Sequence, residues 1–166
     1  MNETKAEIDA LYTALSPRAD MLYQFVMTYA DYIHEARDYG TGLPINMVEV
    51  HTLTMIEDNP GITVSDLARR WGRTKSAVSQ NVKKLMLHGL IRKERSTVDA
   101  KILHLYPTEA GVRLSTAHKA FDNQDILETR QALLHTCSEE EIETFYKVLD
   151  AYYKLFLDED VPEDKQ

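Results

Sequence analysis

Between positions 75 and 84 the chain places Lys75, Ser76, Ser79, Gln80, Lys83 and Lys84, six side chains suited to phosphates and base edges. Lysine brings a point charge to phosphate oxygens. Serine and glutamine donate and accept, and a glutamine amide matches the edge of adenine. Between them run Val78, Val82, Leu85 and Met86 at helical spacing. The pattern predicts an amphipathic helix over about 74–88, capped by Thr74 and ended by a left-handed Gly89. One face packs and the other stays polar. The small residues Thr74, Ser76 and Ser79 let the first turn come close to a groove, and free N–H groups there favour phosphate. A solvated outer face of a small helical bundle has the same pattern, so the helix alone leaves both readings open.

Its neighbours narrow the choice. Thr63 and Asp66 have capping-box spacing, and Val64, Leu67, Ala68 and Trp71 recur at i, i+3, i+4 and i+7, which predicts a short helix over about 63–71. Gly72 and Arg73 join it to the next helix. Two helices about a short glycine-containing turn make a helix-turn-helix. After Gly89, residues 90–95 and 101–106 read as two strands around Ser96-Thr97-Val98-Asp99-Ala100. Arg92, Lys93 and Arg95 lead into that hairpin and Lys101 leaves its turn, so it can reach phosphates or a minor groove. Asp99 is placed to pair with Lys101 and shape the loop.

The charge distribution agrees. The whole chain carries −8, but residues 63–101 hold ten lysines and arginines against Asp66, Glu94 and Asp99. That segment is +7 and the remainder −15, a basic island of the kind that marks a phosphate footprint. A charged surface with no partner fits the charges equally well.

The flanks are helical in pattern. Ile8, Leu11 and Leu15 predict one helix, and Ser16-Pro17 a restart. Leu22, Phe25, Val26, Tyr29, Tyr32 and Ile33 then form a long stripe that ends before Gly40. Asn46 and Glu49 have capping-box spacing ahead of Val50, Leu53 and Ile56, and Asn59-Pro60-Gly61 closes that helix. Thr108 to Gly111 opens a helix reaching about His135. Ser138 and Glu141 cap a last one, with Ile142, Phe145, Val148, Leu149, Tyr152, Leu155 and Phe156 at near-heptad spacing. The expected organisation is an N-terminal helical dimerisation region at 1–40, a winged helix-turn-helix at 44–111, C-terminal dimerisation helices at 112–157 and an acidic tail at 158–166. The fold class is mostly α with a small β-hairpin wing.

The text from Asn46 to Gly111 resembles the multiple antibiotic resistance regulator (MarR) family. Asp66-Leu67-Ala68, Thr74-Lys75-Ser76-Ala77-Val78-Ser79, Gly89-Leu90-Ile91 and Thr108-Glu109-Ala110-Gly111 carry the likeness. The resemblance implies a cytoplasmic, homodimeric transcriptional regulator of double-stranded DNA, with Arg73, Thr74, Lys75, Ser76, Ser79, Gln80, Lys83, Lys84, Arg92, Arg95, Asp99 and Lys101 at the DNA. It also implies a small aromatic or phenolic effector, for which Tyr29, Tyr32, His34 and His51 combine polar tips with an apolar wall. The family's wing tip reads Asp-Arg-Arg, whereas this chain has Asp99-Ala100-Lys101. The minor-groove role therefore falls on a lysine, which is more strongly hydrated than a guanidinium. A winged helix that binds only protein is the alternative reading.

Other chemistry has little support. The six histidines, His34, His51, His88, His104, His118 and His135, form no His-Glu-x-x-His, and Cys137 stands alone. No metal or other cofactor is expected, and Cys137 is expected to be inert. There is no Gly-x-Ser-x-Gly, phosphate loop or dinucleotide fingerprint, so no enzyme is expected. No apolar run approaches a membrane span, and the polar N-terminus lacks a signal-peptide core, consistent with a cytoplasmic protein.

Overall fold

A computed structural model describes residues 4–99 and 101–156. Ala100 of the hairpin turn and the acidic tail at 158–166 lie outside the described residues. The chain divides into two compact units, Met1–Lys119 and Ala120–Gln166.

The first unit opens with α1 (Lys5–His34), started by a reciprocal cap between Thr4 and Glu7. The helix runs through Pro17 without a break, so the restart expected at Ser16-Pro17 does not occur. Proline forfeits one backbone hydrogen bond, but its fixed φ is helical. The turns on either side keep the helix continuous. No residue of α1 is buried within the chain, and Leu22, Phe25, Val26 and Tyr29 are all exposed.

A short antiparallel pair that the sequence did not announce follows, β1 (Ala36–Arg37) with β2 (Ile45–Asn46). Asp38 shapes the loop between them. Its Oδ1 accepts the N–H groups of Gly40, Thr41 and Gly42 at 2.9–3.0 Å. Then come α2 (Met47–Asp58), α3 (Val64–Arg70) and α4 (Lys75–Leu87). They pack around Val50, Leu53, Ile56, Leu67, Val78, Val82 and Leu85, with Ile45, Leu90, Ile91, Leu105 and Leu114 completing the core. Each fully buried aliphatic side chain contributes about 1.5–3 kcal/mol by leaving water. Leu53→Ala, at a site with no exposure, would cost on the order of 2–5 kcal/mol. Met86 departs from the expected stripe and is partly exposed.

The hairpin is β3 (Ile91–Arg95) with β4 (Leu103–Pro107), antiparallel and in register from Ile91↔Pro107 to Arg95↔Leu103. A bridge between Ile62 and Leu105 ties it to the α2–α3 connection. His104 adds a second tie, its Nδ1 lying 2.6 Å from the carbonyl oxygen of Gly61.

α5 (Glu109–Leu133) leaves the hairpin through one close contact. A Cβ on Gly111 would stand 2.0 Å from the carbonyl oxygen of Leu90, so only glycine lets helix and hairpin backbones approach this far. That carbonyl accepts the Thr108 N–H, and the Thr108 hydroxyl donates to the carbonyl of Gly89 and accepts the N–H of Gly111. Farther along, Lys119 donates to Glu57 and Asp58, and Ser115 to Thr54 and Glu57. These bonds join α5 to α2. The Asp58 carboxylate first, then Glu57, holds the Lys119 ammonium above the usual lysine range.

In the second unit, α6 (Glu139–Phe156) begins at a reciprocal Ser138–Glu141 cap. Only Ile142 of α6 is buried within the chain, while Phe145, Val148, Leu149, Tyr152 and Phe156 are exposed. No helix among the described residues is long and apolar enough to cross a membrane.

Candidate nucleic-acid interface

The helix-turn-helix is built from α3 and α4. Thr63 and Asp66 cap α3 reciprocally, with the Thr63 hydroxyl donating to Asp66 Oδ2 at 2.6 Å. The same hydroxyl is the main reason the Asp66 carboxyl sits below the usual carboxylate range. Gly72 then takes φ +57°, a conformation that favours glycine. The N–H of Arg73 closes the turn on the carbonyl of Ala68 at 3.0 Å. Thr74 is the N-cap of α4, accepting from the N–H of Ala77 at 3.3 Å.

α4 divides as its sequence suggested. Val78, Val82 and Leu85 are buried, while Lys75, Ser76, Ser79, Gln80 and Lys83 are exposed. Helical geometry sets Ser76, Gln80 and Lys83 opposite the buried stripe. Arg73 is exposed just ahead of them.

Lys84 behaves differently. It reaches back to α2, and its Nζ donates to Glu49 Oε1 at 2.5 Å. The Glu49 side chain is only 9% exposed against 55% for Lys84. The expected box at the start of α2 is correspondingly half made. Asn46 Oδ1 accepts the N–H of Glu49 at 2.9 Å, but the carboxylate serves Lys84. Nothing in the sequence links positions 49 and 84, and only the packing of α2 against α4 brings them together.

On the hairpin, Arg95 and Lys101 are exposed. Arg92 is held, with its guanidinium 4.9 Å from the centre of the Tyr106 ring and paired with Glu94. Asp99 shapes the turn through the backbone, its Oδ1 accepting the N–H of Lys101 at 2.9 Å.

The four residues expected to form an effector pocket fall into different surroundings. Tyr29 and Tyr32 stack at 5.9 Å in a ladder that begins at Phe25. Arg37 ends the ladder, 3.8 Å above the Tyr32 ring, and donates to the Tyr32 hydroxyl at 2.7 Å. His51 packs instead on Trp71 and on the buried His118, at 6.4 and 4.8 Å between ring centres. His34 is exposed at the end of α1. Sequence reading missed Arg37, although a guanidinium a few residues past an aromatic ladder is a usable signal.

The MarR family model matches residues 41–102, the stretch that holds α2, α3, α4 and the first hairpin strand. Residues 41–102 are a MarR-family domain. The MarR match is accompanied by 29% identity over 84 residues to an uncharacterized HTH-type transcriptional regulator, YhjH, of Bacillus subtilis (strain 168). That alignment covers 51% of this chain and 48% of the relative, so the chain spans about half the length of the curated relative it matches. Likeness of fold extends farther than the family match. A MepR–DNA complex from S. aureus superposes with a TM-score of 0.67 at 24% identity, covering 81% of this chain and 96% of that one. FabT of Streptococcus pneumoniae in complex with DNA gives 0.62 at 23%, covering 90% and 99%. The zinc-responsive MarR family member ZitR of Lactococcus lactis gives 0.65 at 21%, covering 86% and 99%. At these identities the likeness establishes a mostly helical winged helix for this chain.

Proposed function

We propose that the protein is a transcriptional regulator that binds double-stranded DNA as a homodimer on a pseudo-palindromic operator. The observation that carries this reading is the division of α4, in which Val78, Val82 and Leu85 are buried while Ser76, Gln80 and Lys83 face outward ahead of a basic hairpin. The DNA complexes of FabT and MepR, which share this fold, support it. In this reading Gln80, with Ser76 and Ser79, addresses base edges. Arg73, Lys75, Lys83, Arg95 and Lys101 address phosphates. Thr74 holds the helix N-terminus in place, Lys84 fixes the helix on Glu49, and Arg92 and Asp99 shape the wing. The apolar faces of α1 and α6 supply the dimer contact. The Phe25–Tyr29–Tyr32 ladder ending in Arg37 suits a planar aromatic anion as effector.

The test is selection of duplexes by the full chain from a randomised 40-base-pair pool, followed by salt-dependent affinity measurements. The expected product is a pseudo-palindrome with half-sites roughly 10 base pairs apart. Gln80→Ala should relax the preference at one base pair by about 1–3 kcal/mol. Lys83→Ala should weaken all sequences and flatten the salt dependence. Absence of any enriched sequence would favour a winged helix that binds only protein.

A further inference from the structure

The hairpin tip carries a side chain that neither packing nor the lysine and arginine contacts explain. Val98 is 95% exposed, the most exposed large apolar residue among those described. Two nearby polar side chains, Ser96 and Asp99, are turned to the loop's own backbone. Ser96 Oγ accepts the N–H groups of Val98 and Asp99 at 3.2 and 3.3 Å, and Asp99 Oδ1 accepts that of Lys101. Two backbone bonds close the loop beneath them, from Ser96 N–H to the Ile102 carbonyl and from Ile102 N–H to the Asp99 carbonyl. The turn is therefore braced from within and holds an isopropyl group outward, with exposed Arg95 and Lys101 on either side of the turn.

A flanking pair of cations about an apolar tip matches one surface of duplex DNA. Phosphates line both rims of the minor groove, and its floor differs chiefly in one group. A guanine presents its N2 amino donor there, whereas an A·T pair presents only acceptors and the adenine C2–H. An apolar side chain against the floor strips water from that amino group and returns no hydrogen bond. Apolar side chains are used in this groove by other minor-groove binders.

We propose that Val98 is a specificity-determining residue of the wing, seated in the minor groove and selecting against guanine there. The proposal rests on the DNA-binding reading above. Lys101 and Arg95 then supply affinity without sequence preference, and Val98 supplies the preference.

The experiment uses the duplex selected by the wild-type chain, with the base pairs under the wing, located by footprinting, made A·T, G·C or inosine·C. Inosine lacks only the N2 amino group and keeps the major-groove face of guanine. Wild type should bind the A·T and inosine·C duplexes alike and the G·C duplex about tenfold more weakly. Val98→Ser, at a site too exposed to disturb the fold, should bring all three within about twofold of one another. Lys101→Ala should weaken all three by one common factor. A tenfold ratio that survives Val98→Ser, or inosine·C binding as weakly as G·C, would overturn the role of Val98 and leave the DNA-binding reading standing. Failure of the wild-type chain to enrich any duplex would overturn both.

Discussion

Lys84 of the second helix of the helix-turn-helix donates at 2.5 Å to Glu49, a carboxylate buried at the start of α2. The ion pair crosses 35 positions of sequence and ties α4 to the scaffold behind it. A cation on the polar side of α4 is thereby assigned to holding the helix.

Removing the cation leaves a carboxylate with little solvent. Lys84→Ala is expected to lower stability by about 1–2 kcal/mol, discounted for the half-exposed lysine. Lys83→Ala, at an exposed position one residue earlier, should leave stability within about 0.5 kcal/mol of wild type. Urea unfolding of Lys84→Ala, Glu49→Gln and the double variant measures the coupling. Strict additivity would remove the pair from the stability of the fold.

Gly111 offers a test of the hairpin–α5 junction. An alanine Cβ would fall 2.0 Å from the Leu90 carbonyl oxygen, which is backbone and cannot rotate aside. Gly111→Ala should cost on the order of 3 kcal/mol or more. It should also break the bond from Thr108 N–H to that carbonyl, now 2.9 Å. Thermal unfolding checks the cost, and faster amide exchange at Thr108 checks the cause. An unchanged melting temperature would contradict the close approach.

The caps give a pH dependence of defined sign. Asp66 is held below its usual range, chiefly by the hydroxyl of Thr63, and Glu7 and Glu141 chiefly by the backbone N–H groups of Thr4 and Ser138. Depressed carboxylates stabilise the fold above their unfolded values, and that contribution disappears as pH falls through the folded values. Stability should therefore decline below about pH 4. Thr63→Ala removes the main hold on Asp66, so its stability should lie below wild type near neutral pH and converge with it in acid. Parallel curves for the two proteins would exclude the linkage.

The exposed faces of α1 and α6 bear on assembly. Leu149 and Tyr152 are 43% and 46% exposed, and Leu22 on α1 is 39% exposed. Light scattering of the proposed homodimer should return about twice the 19.1 kDa chain mass. Leu149→Arg should shift the population towards monomer, because a buried unpaired charge opposes association. A wild-type monomer at micromolar concentration would end the dimer reading.

Local periodicity and punctuation determined most of the elements of this protein. The apolar spacing of α4, the Thr63–Asp66 and Ser138–Glu141 caps, Gly72 in the turn and the basic run into the hairpin act within a few residues, so they are legible in one dimension. Pro17 shows where such punctuation misleads, since a proline compatible with helical φ ended nothing once turns formed on both sides. Tertiary structure decided the rest. The partner of Lys84, the seat of Arg92 on Tyr106, the β1–β2 pair and the crowding at Gly111 all join residues that only packing makes neighbours. Composition could list the cations of the basic island. That Lys84 is drawn to Glu49 and Arg92 to the Tyr106 ring depends on a carboxylate or ring from another element, and its distance is set by how the helices and hairpin close on their shared core.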